Sequence, residues 1–370
     1  MNHQFALSQW QKKQAALLYY FSSMEYLISL KDRVADLKIF AEEKLDQSRL
    51  EDRDRFLRSA QWGDRNTTEN WSNNAWPFLA DFQISTSRAI ADLPSEVYHV
   101  TGANQCIRGI SEYSMQWATA DEEMKFDEML ADISKYARNI DYTMQKRYGV
   151  SWWDDFCLTH AWIEHCEKFR SIQEFKVLFD VVAHTGERPP RTGVYVSIDD
   201  AHASLQFAWS GAPGGELIPA STFNDLGLAA LFAVGRRRLW VDETAMRDFV
   251  CANLSNPALT NDPSFNGAPK SSLAPGLVAS NAFTSRSTRW CFVEPIEDEF
   301  ELVEDEIDSP ISASSIQSQR YCAGEFCVIS GYYFTPAYVG SRRHFTSGDV
   351  FPDINSEYGK TIWQWDTQQK

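Results

Sequence analysis

The apolar positions in the first half of the chain recur at helical spacing. Leu17, Phe21, Met24 and Ile28 stand at i, i+4, i+7 and i+11, one face of a helix. Leu30, Val34, Leu37, Ala41 and Leu45 continue in a shifted phase, which fits one bent helix or two. No Gly or Pro interrupts the chain between Met1 and Trp62. Further on, Thr119-Ala120-Asp121-Glu122 forms a capping box, in which the Thr119 hydroxyl accepts from a free backbone N–H and Glu122 reaches back. Phe126, Met129, Ile133, Ile140 and Met144 then supply a buried stripe. Lys146 and Arg147 complement the helix C-terminus, and Gly149 suits a left-handed cap. Ser151 and Asp154 open another helix, which this reading carries to about Val182. The short link between these two helices favours antiparallel packing. Residues 1–183 therefore predict a helical bundle domain.

The pattern changes after Pro189-Pro190, which ends helical structure. Val194-Tyr195-Val196 and Leu205 to Trp209 read as strands. Thr222 to Val234 reads as a helix capped by Thr222 and stopped by Gly235, and Asp242 to Leu254 as another. Residues 255–288 are rich in Asn, Ser, Pro and Gly and read as a long loop. Strands resume at Trp290 to Val293, and Gly331 to Trp365 alternates aromatic residues with turns. The fold class predicted is α+β: an N-terminal helical bundle, then a β-rich α+β domain over 184–370.

That second domain contains an internal match, 186–219 against 324–352. Gly186-Glu187 to Thr192-Gly193 and Gly324-Glu325 to Ser330-Gly331 both read G-E-x-x-x-x-[ST]-G. Each is followed by a tyrosine two places on, Tyr195 and Tyr333, and by a phenylalanine fourteen places on, Phe207 and Phe345. Gly211 and Gly348 follow, then Ile218-Pro219 and Phe351-Pro352. The physical reading is two related modules of turn, strand and hairpin, with Gly supplying positive φ in the turns and each Phe anchoring a return strand in the core.

Composition narrows the function. Apolar residues make up 44% of the 370, enough for real cores. A formal charge of −16 disfavours nucleic acid and anionic membranes as direct ligands and permits a basic protein partner. Seven cysteines without a CxxC pair, and no basic-then-apolar leader, predict free thiols in the cytoplasm. The run Ala15 to Phe21 is far too short to span a bilayer.

Usable catalytic chemistry is sparse. Cys157, His160 and Glu164 share a helical face and are residue types that zinc accepts. His160 and His165, however, lie five apart and diverge, and the spacing matches no H-E-x-x-H pattern. Asp199-Asp200 suits a solvated hairpin tip better than a metal, and Arg236-Arg237-Arg238 and Gly340-Ser341-Arg342-Arg343-His344 suit internal ion pairs or a wet face better than phosphate. No metal and no cofactor is expected. The strongest charge feature is Glu294 to Asp308, with nine acids and no base. Without it, acids and bases from His184 onward would balance, so it supplies the acidic excess of that half. Phe300, Leu302, Val303 and Ile307 interleave, which predicts a strand with one buried face over part of it.

The end of the chain resembles a known signature. Gly324-Glu325, Ser330 to Ala337, Gly340-Ser341-Arg342-Arg343 and Tyr358 to Asp366 are similar to the C-terminal pattern of bacterial polymorphic-toxin immunity proteins, immunity families seventy-one and seventy-two. Thr222-Phe223-Asn224 and Leu239-Trp240 fit the same resemblance, which covers about 185–366. Val328 departs from it, standing after Cys327 where the pattern has Pro. The resemblance implies a non-enzymatic protein that neutralises a cognate toxin encoded by a neighbouring gene, often one delivered by type VI secretion and often a basic nuclease. Its signature residues, here Gly193, Phe207, Gly331, Tyr333, Phe345, Trp363 and Trp365, build the fold. Toxin-contacting residues vary with the toxin, so the acidic strap supplies the candidates: Glu297, Asp298, Glu299, Glu301, Glu304, Asp305, Glu306 and Asp308. The competing expectations are a metal-dependent enzyme on the Cys157/His160/Glu164 helix and a structural adaptor of a secretion system.

Overall fold

The structure is a computed structural model. It describes residues 6–59, 61, 63–146, 151–265, 267, 270–303, 320–324, 327, 331–336, 338, 340–346, 349–354 and 361–366. The fold is α+β, with a helical N-terminal region followed by antiparallel sheets. The compact units do not part at residue 184. One comprises Met1–Asn224 with Phe283–Glu304, the other Asp225–Ala282 with Asp305–Lys370.

In the first unit there are two helices, but the break falls between Phe21 and Met24, not at the phase shift, since Ile28 and Leu30 both lie on the second. Helix α1 (Gln9–Phe21) ends at Ser22, and Ser23 caps α2 (Met24–Leu50) by accepting from the Tyr26 N–H. Leu30, Val34, Leu37, Ala41 and Leu45 are all buried on α2, whereas Ile28, in the earlier phase, is 42% exposed. Helices α3 (Thr68–Asn74), α4 (Trp76–Asp92), α5 (Ala103–Ser111) and α6 (Ala120–Met144) follow. The capping box of α6 is present: Glu122 N–H donates to Thr119 Oγ1 (3.3 Å) and Thr119 N–H to Glu122 Oε2 (2.8 Å). Phe126, Ile133, Ile140 and Met144 are buried. Gln145 caps the far end in an extended conformation, and Arg147 and Gly149 lie outside the described residues. Helix α7 (Asp155–His165) starts at the Asp154 cap, which accepts from the Cys157 N–H at 2.7 Å.

Inside this bundle, Asp141 of α6 accepts from the N–H (2.6 Å) and hydroxyl (3.0 Å) of Thr101, which leads into α5. Burial outweighs those bonds and pushes the Asp141 carboxyl up to about 6. Its folded pKa lies above its unfolded one, so its contribution is full below about pH 4 and lost as the pH rises to about 6. Asp141→Asn should therefore gain stability relative to the parent across that window and stay level above it. Denaturation midpoints at pH 4, 5, 6 and 7 check this; a constant difference would refute it.

Helix α7 does not continue to Val182. Residues Ser171–His184 form strand β1, paired antiparallel with β6 (Arg289–Leu302). With β2 (Gly193–Ser197) and β3 (Gln206–Ala208) they make a sheet of order β1-β6-β2-β3. The bundle and this sheet share one core. Val194, Val196, Leu205, Phe207, Cys291 and Val293 pack with the buried residues of α1 to α7. Tyr195, Ala208, Trp290 and Phe292 form a separate cluster on the opposite face. Helix α1 lies against the first face: Tyr19 OH donates to the Val293 carbonyl (2.5 Å), and Gln14 Oε1 accepts from the Leu205 N–H (2.9 Å). Gly193 makes this approach possible, because a Cβ there would come within 2.8 Å of the Tyr19 hydroxyl and 2.5 Å of the Phe292 ring. A ribbon of β4 (Ala220–Phe223) and β5 (Phe283–Arg286) completes the unit's strands among the described residues.

The second unit holds α8 (Asp225–Val234), α9 (Glu243–Ala252), α10 (Pro257–Thr260) and α11 (Ala274–Ala279). Thr222 is thus in a strand and caps no helix, while Gly235 stops α8 at φ 84° as its position predicts. The stretch 255–288 is not one loop, since it contains α10, α11 and β5. Strands β7 (Arg320–Cys322), β8 (Gly331–Phe334), β9 (Arg343–Phe345) and β10 (Ile362–Trp365) form a second sheet of order β7-β10-β8-β9.

The two sheets have the same topology, and much of their register agrees residue for residue. Ala183 faces Trp290 in one and Tyr321 faces Trp363 in the other. Tyr195 faces Phe292 as Tyr333 faces Trp365, and Val196 faces Cys291 as Phe334 faces Gln364. Thr185 N–H donates to the Thr288 carbonyl (3.2 Å) as Ala323 N–H does to the Thr361 carbonyl (2.8 Å). Gly186 and Gly324 take φ of 91° and 93°, outside the reach of most L-residues. The sequence match therefore extends to a final strand, Thr288-x-Trp290-x-Phe292 against Thr361-x-Trp363-x-Trp365.

The hairpins differ by one residue. Phe207 stands opposite Val194, whereas Phe345 stands opposite Gly331. Both are buried, but a one-residue slip turns a side chain to the other face. Phe207 joins the core of the helical bundle, and Phe345 packs with Tyr333, Phe351 and Trp363. The positions matched by sequence are not equivalent in the fold.

Candidate functional site

The acidic segment begins within β6. Its pairing with β1 runs Phe175↔Pro295, then resumes at Gln173↔Phe300 and Ser171↔Leu302. The register shift between Gln173 and Phe175 leaves residues 296–299 of β6 as a bulge, with Asp298 at φ 61°. Glu297, Asp298 and Glu299 are exposed on it, and among the described residues no ion pair reaches them. Like charges at such spacing repel, and only solvent and its dissolved salt screen them.

The rest of the strap fares differently. Glu294 pairs with Arg191 (3.0 Å), and Glu301 pairs with Lys12 of α1 (2.6 Å), with both side chains largely buried. Glu301 is committed inside the unit, a correction to its place among the contact candidates. Glu304, Asp305, Glu306 and Asp308 lie outside the described residues. The segment up to Leu302 is a strand, but Phe300 and Leu302 do not form a buried face: they are 67% and 77% exposed.

The catalytic-looking residues of α7 do not assemble into a site. Glu164 forms an ion pair with Lys135 of α6. His160 is exposed, its ring against Phe156 of its own helix (4.6 Å). Burial, and then the Asp154 carboxylate, push the Cys157 thiol up to about 12, the reverse of what a nucleophilic thiolate needs. His165 is drawn into the bundle, 3.1 Å from Asn139 Nδ2 and edge-on to Tyr20, Phe21 and Tyr26, and burial lowers its pKa. Among the described residues no group of three His, Cys, Asp or Glu side chains is placed to hold a metal ion.

The remaining charged clusters are engaged locally. Asp199 accepts from the side chain and backbone of Arg289, which pull it down to about 2, and Asp200 lies 3.5 Å from Arg286. Arg238 pairs with Asp242 (2.9 Å). Arg342 pairs with Asp366 and lies over the Tyr332 ring at 3.9 Å. An open cleft of about 300 Å³ borders this pair, lined by Phe334, Pro336, Tyr338 and Ser341. Its one arginine is neutralised by its own aspartate.

Gly193, Phe207, Tyr333, Phe345 and Trp363 are buried, and Trp363 Nε1 donates to the Pro352 carbonyl at 2.9 Å. Gly331 and Trp365 stand in the second sheet's pairing, Gly331↔Phe345 and Trp365↔Tyr333. Among the described residues no helix is long and apolar enough to cross a membrane. Comparison with family models, with curated proteins and with solved structures finds no match.

Proposed function

We propose that the protein is an immunity protein: it binds and neutralises a basic toxin encoded beside it, catalysing no reaction. The observation that carries the reading is the bulge of β6, where Glu297, Asp298 and Glu299 stand exposed and, among the described residues, in no ion pair. A basic partner would relieve their mutual repulsion, and the chain's charge of −16 would steer its approach. Two further features support it. The C-terminal signature resembles that of polymorphic-toxin immunity proteins, and the Cys157 thiol is held in its unreactive form. The partner class is a secreted antibacterial nuclease of the type VI-delivered kind, met in the cytoplasm and occluded by contact.

Co-purification with the product of the adjacent gene is the first test. The second is kinetic. The triple variant Glu297→Gln, Asp298→Asn, Glu299→Gln should slow association roughly five-fold at low salt and flatten its salt dependence, as expected when steering charge is removed. Asn suits position 298 because it tolerates the left-handed conformation. Association at the parental rate at low salt would refute the role of the bulge.

A further inference from the structure

The ribbon of β1 and β6 is patterned inside out. Alternate residues of a strand point to opposite faces. Glu301 points inward, to Lys12 of α1, with side-chain exposures of only 23% and 15%. Phe300 and Leu302, on the other face, point out to water. Their cross-strand partners on β1 are Gln173 and Ser171, which offer little apolar cover. A solvated ribbon would place the acid outside and the apolar pair inside. Single exposed apolar residues are ordinary, but two in one row, beside an acidic bulge, form a patch with a rim.

Resting on the neutralising reading above, we propose that Phe300 and Leu302 are the apolar anchors by which this ribbon grips the toxin. The occupant follows from charge: an apolar depression on a basic protein, edged by Lys or Arg that meet Glu297, Asp298 and Glu299. Interfaces of this kind divide the labour. Rim charges set the association rate, and the desolvated anchors set how long the complex lasts. The acids also guard the patch, since charge beside exposed apolar strand residues opposes self-association before the partner arrives.

The experiment uses the full chain and the product of the adjacent gene as probe. Phe300→Thr with Leu302→Thr keeps residues suited to strands at both places. The double variant should speed dissociation ten-fold or more and leave the association rate within two-fold of the parent. The acid-to-amide triple should show the converse. Leu50→Thr, at an exposed apolar position on α2, serves as control and should change neither rate. Benzoylphenylalanine at position 300 of the otherwise parental chain should crosslink to the toxin, which keeps the test sharp if the double variant folds poorly. A complex that forms but dissociates at the parental rate, or that gives no crosslink from position 300, overturns the anchors and leaves the neutralising reading intact. Failure of the parental protein to bind the adjacent gene product overturns both.

Discussion

Phe207→Ala is expected to cost about 3–5 kcal/mol, the usual range for emptying a large aromatic from a packed core. The side chain is 3% exposed and lies between sheet and helices, with Tyr98 edge-on at 5.0 Å and Trp209 at 6.4 Å. Neither neighbour can close the space cheaply. Trp209 is held through its own backbone N–H to the Gly215 carbonyl, and a Cβ on Gly215 would overlap Trp209, so that loop has no slack. Phe345→Ala removes the same side chain from the opposite face of its sheet, where the cluster comprises Cys327, Tyr333, Phe351 and Trp363. The two variants should therefore differ in what they loosen. Phe207→Ala should deprotect amides of both the bundle and the first sheet, whereas Phe345→Ala should deprotect the second sheet alone. A denaturation midpoint for Phe207→Ala within about 1 kcal/mol of the parent would show that the bundle and the first sheet do not depend on each other.

Much of this arrangement is legible in the sequence, and the misses have physical causes. The Thr119–Glu122 box marks the start of α6 because local chemistry settles it, whereas the break between α1 and α2 falls at Ser22-Ser23, inside the stripe Leu17, Phe21, Met24 and Ile28 that reads as one helix face. Strand β1 is the principal miss. Phe175 to Val182 is a nearly continuous apolar run, and such a run satisfies a helical and a strand template equally. Its Val177, Val181 and Val182, with Ile172, were the available signal for a strand. The internal match was legible, but its final strand went unread because an insertion separates it in the first copy: 209–288 stands there where 346–361 stands in the second. Register was beyond reach, since nothing local announces that Phe207 and Phe345 face opposite ways. At the candidate site the acids were plain, but their fates were not. Glu301 finds Lys12 from a distant part of the chain, and this long-range pair turns Phe300 and Leu302 outward.

Cutting the chain at residue 184 is expected to unfold both the bundle and the first sheet. The cut falls at the end of β1, so the fragment 1–183 would carry an unpaired strand whose partner β6 lies in the other piece. An open edge of that length, with Val177, Leu178, Val181 and Val182 in it, invites aggregation. The larger effect is on the core. Val194, Val196, Leu205, Phe207, Trp209, Cys291 and Val293 all pack into the cluster formed by α1 to α7. Burying a Val, Leu or Phe side chain is worth about 1.5–3 kcal/mol. Losing that many such contacts removes on the order of 10 kcal/mol, comparable to the whole stability of a typical domain, about 5–15 kcal/mol. Tyr19 would lose its bond to the Val293 carbonyl, and Gln14 its bond to the Leu205 N–H, leaving polar groups stranded on an apolar face. The fragment 1–183 alone should show no cooperative thermal transition and should bind a hydrophobic dye. The two expressed together should recover a helical circular-dichroism signal and a single melt. If the fragment 1–183 alone melts cooperatively with the parental protection of its α2 and α6 amides, the bundle is self-sufficient. The sheet would then be only an attachment to it.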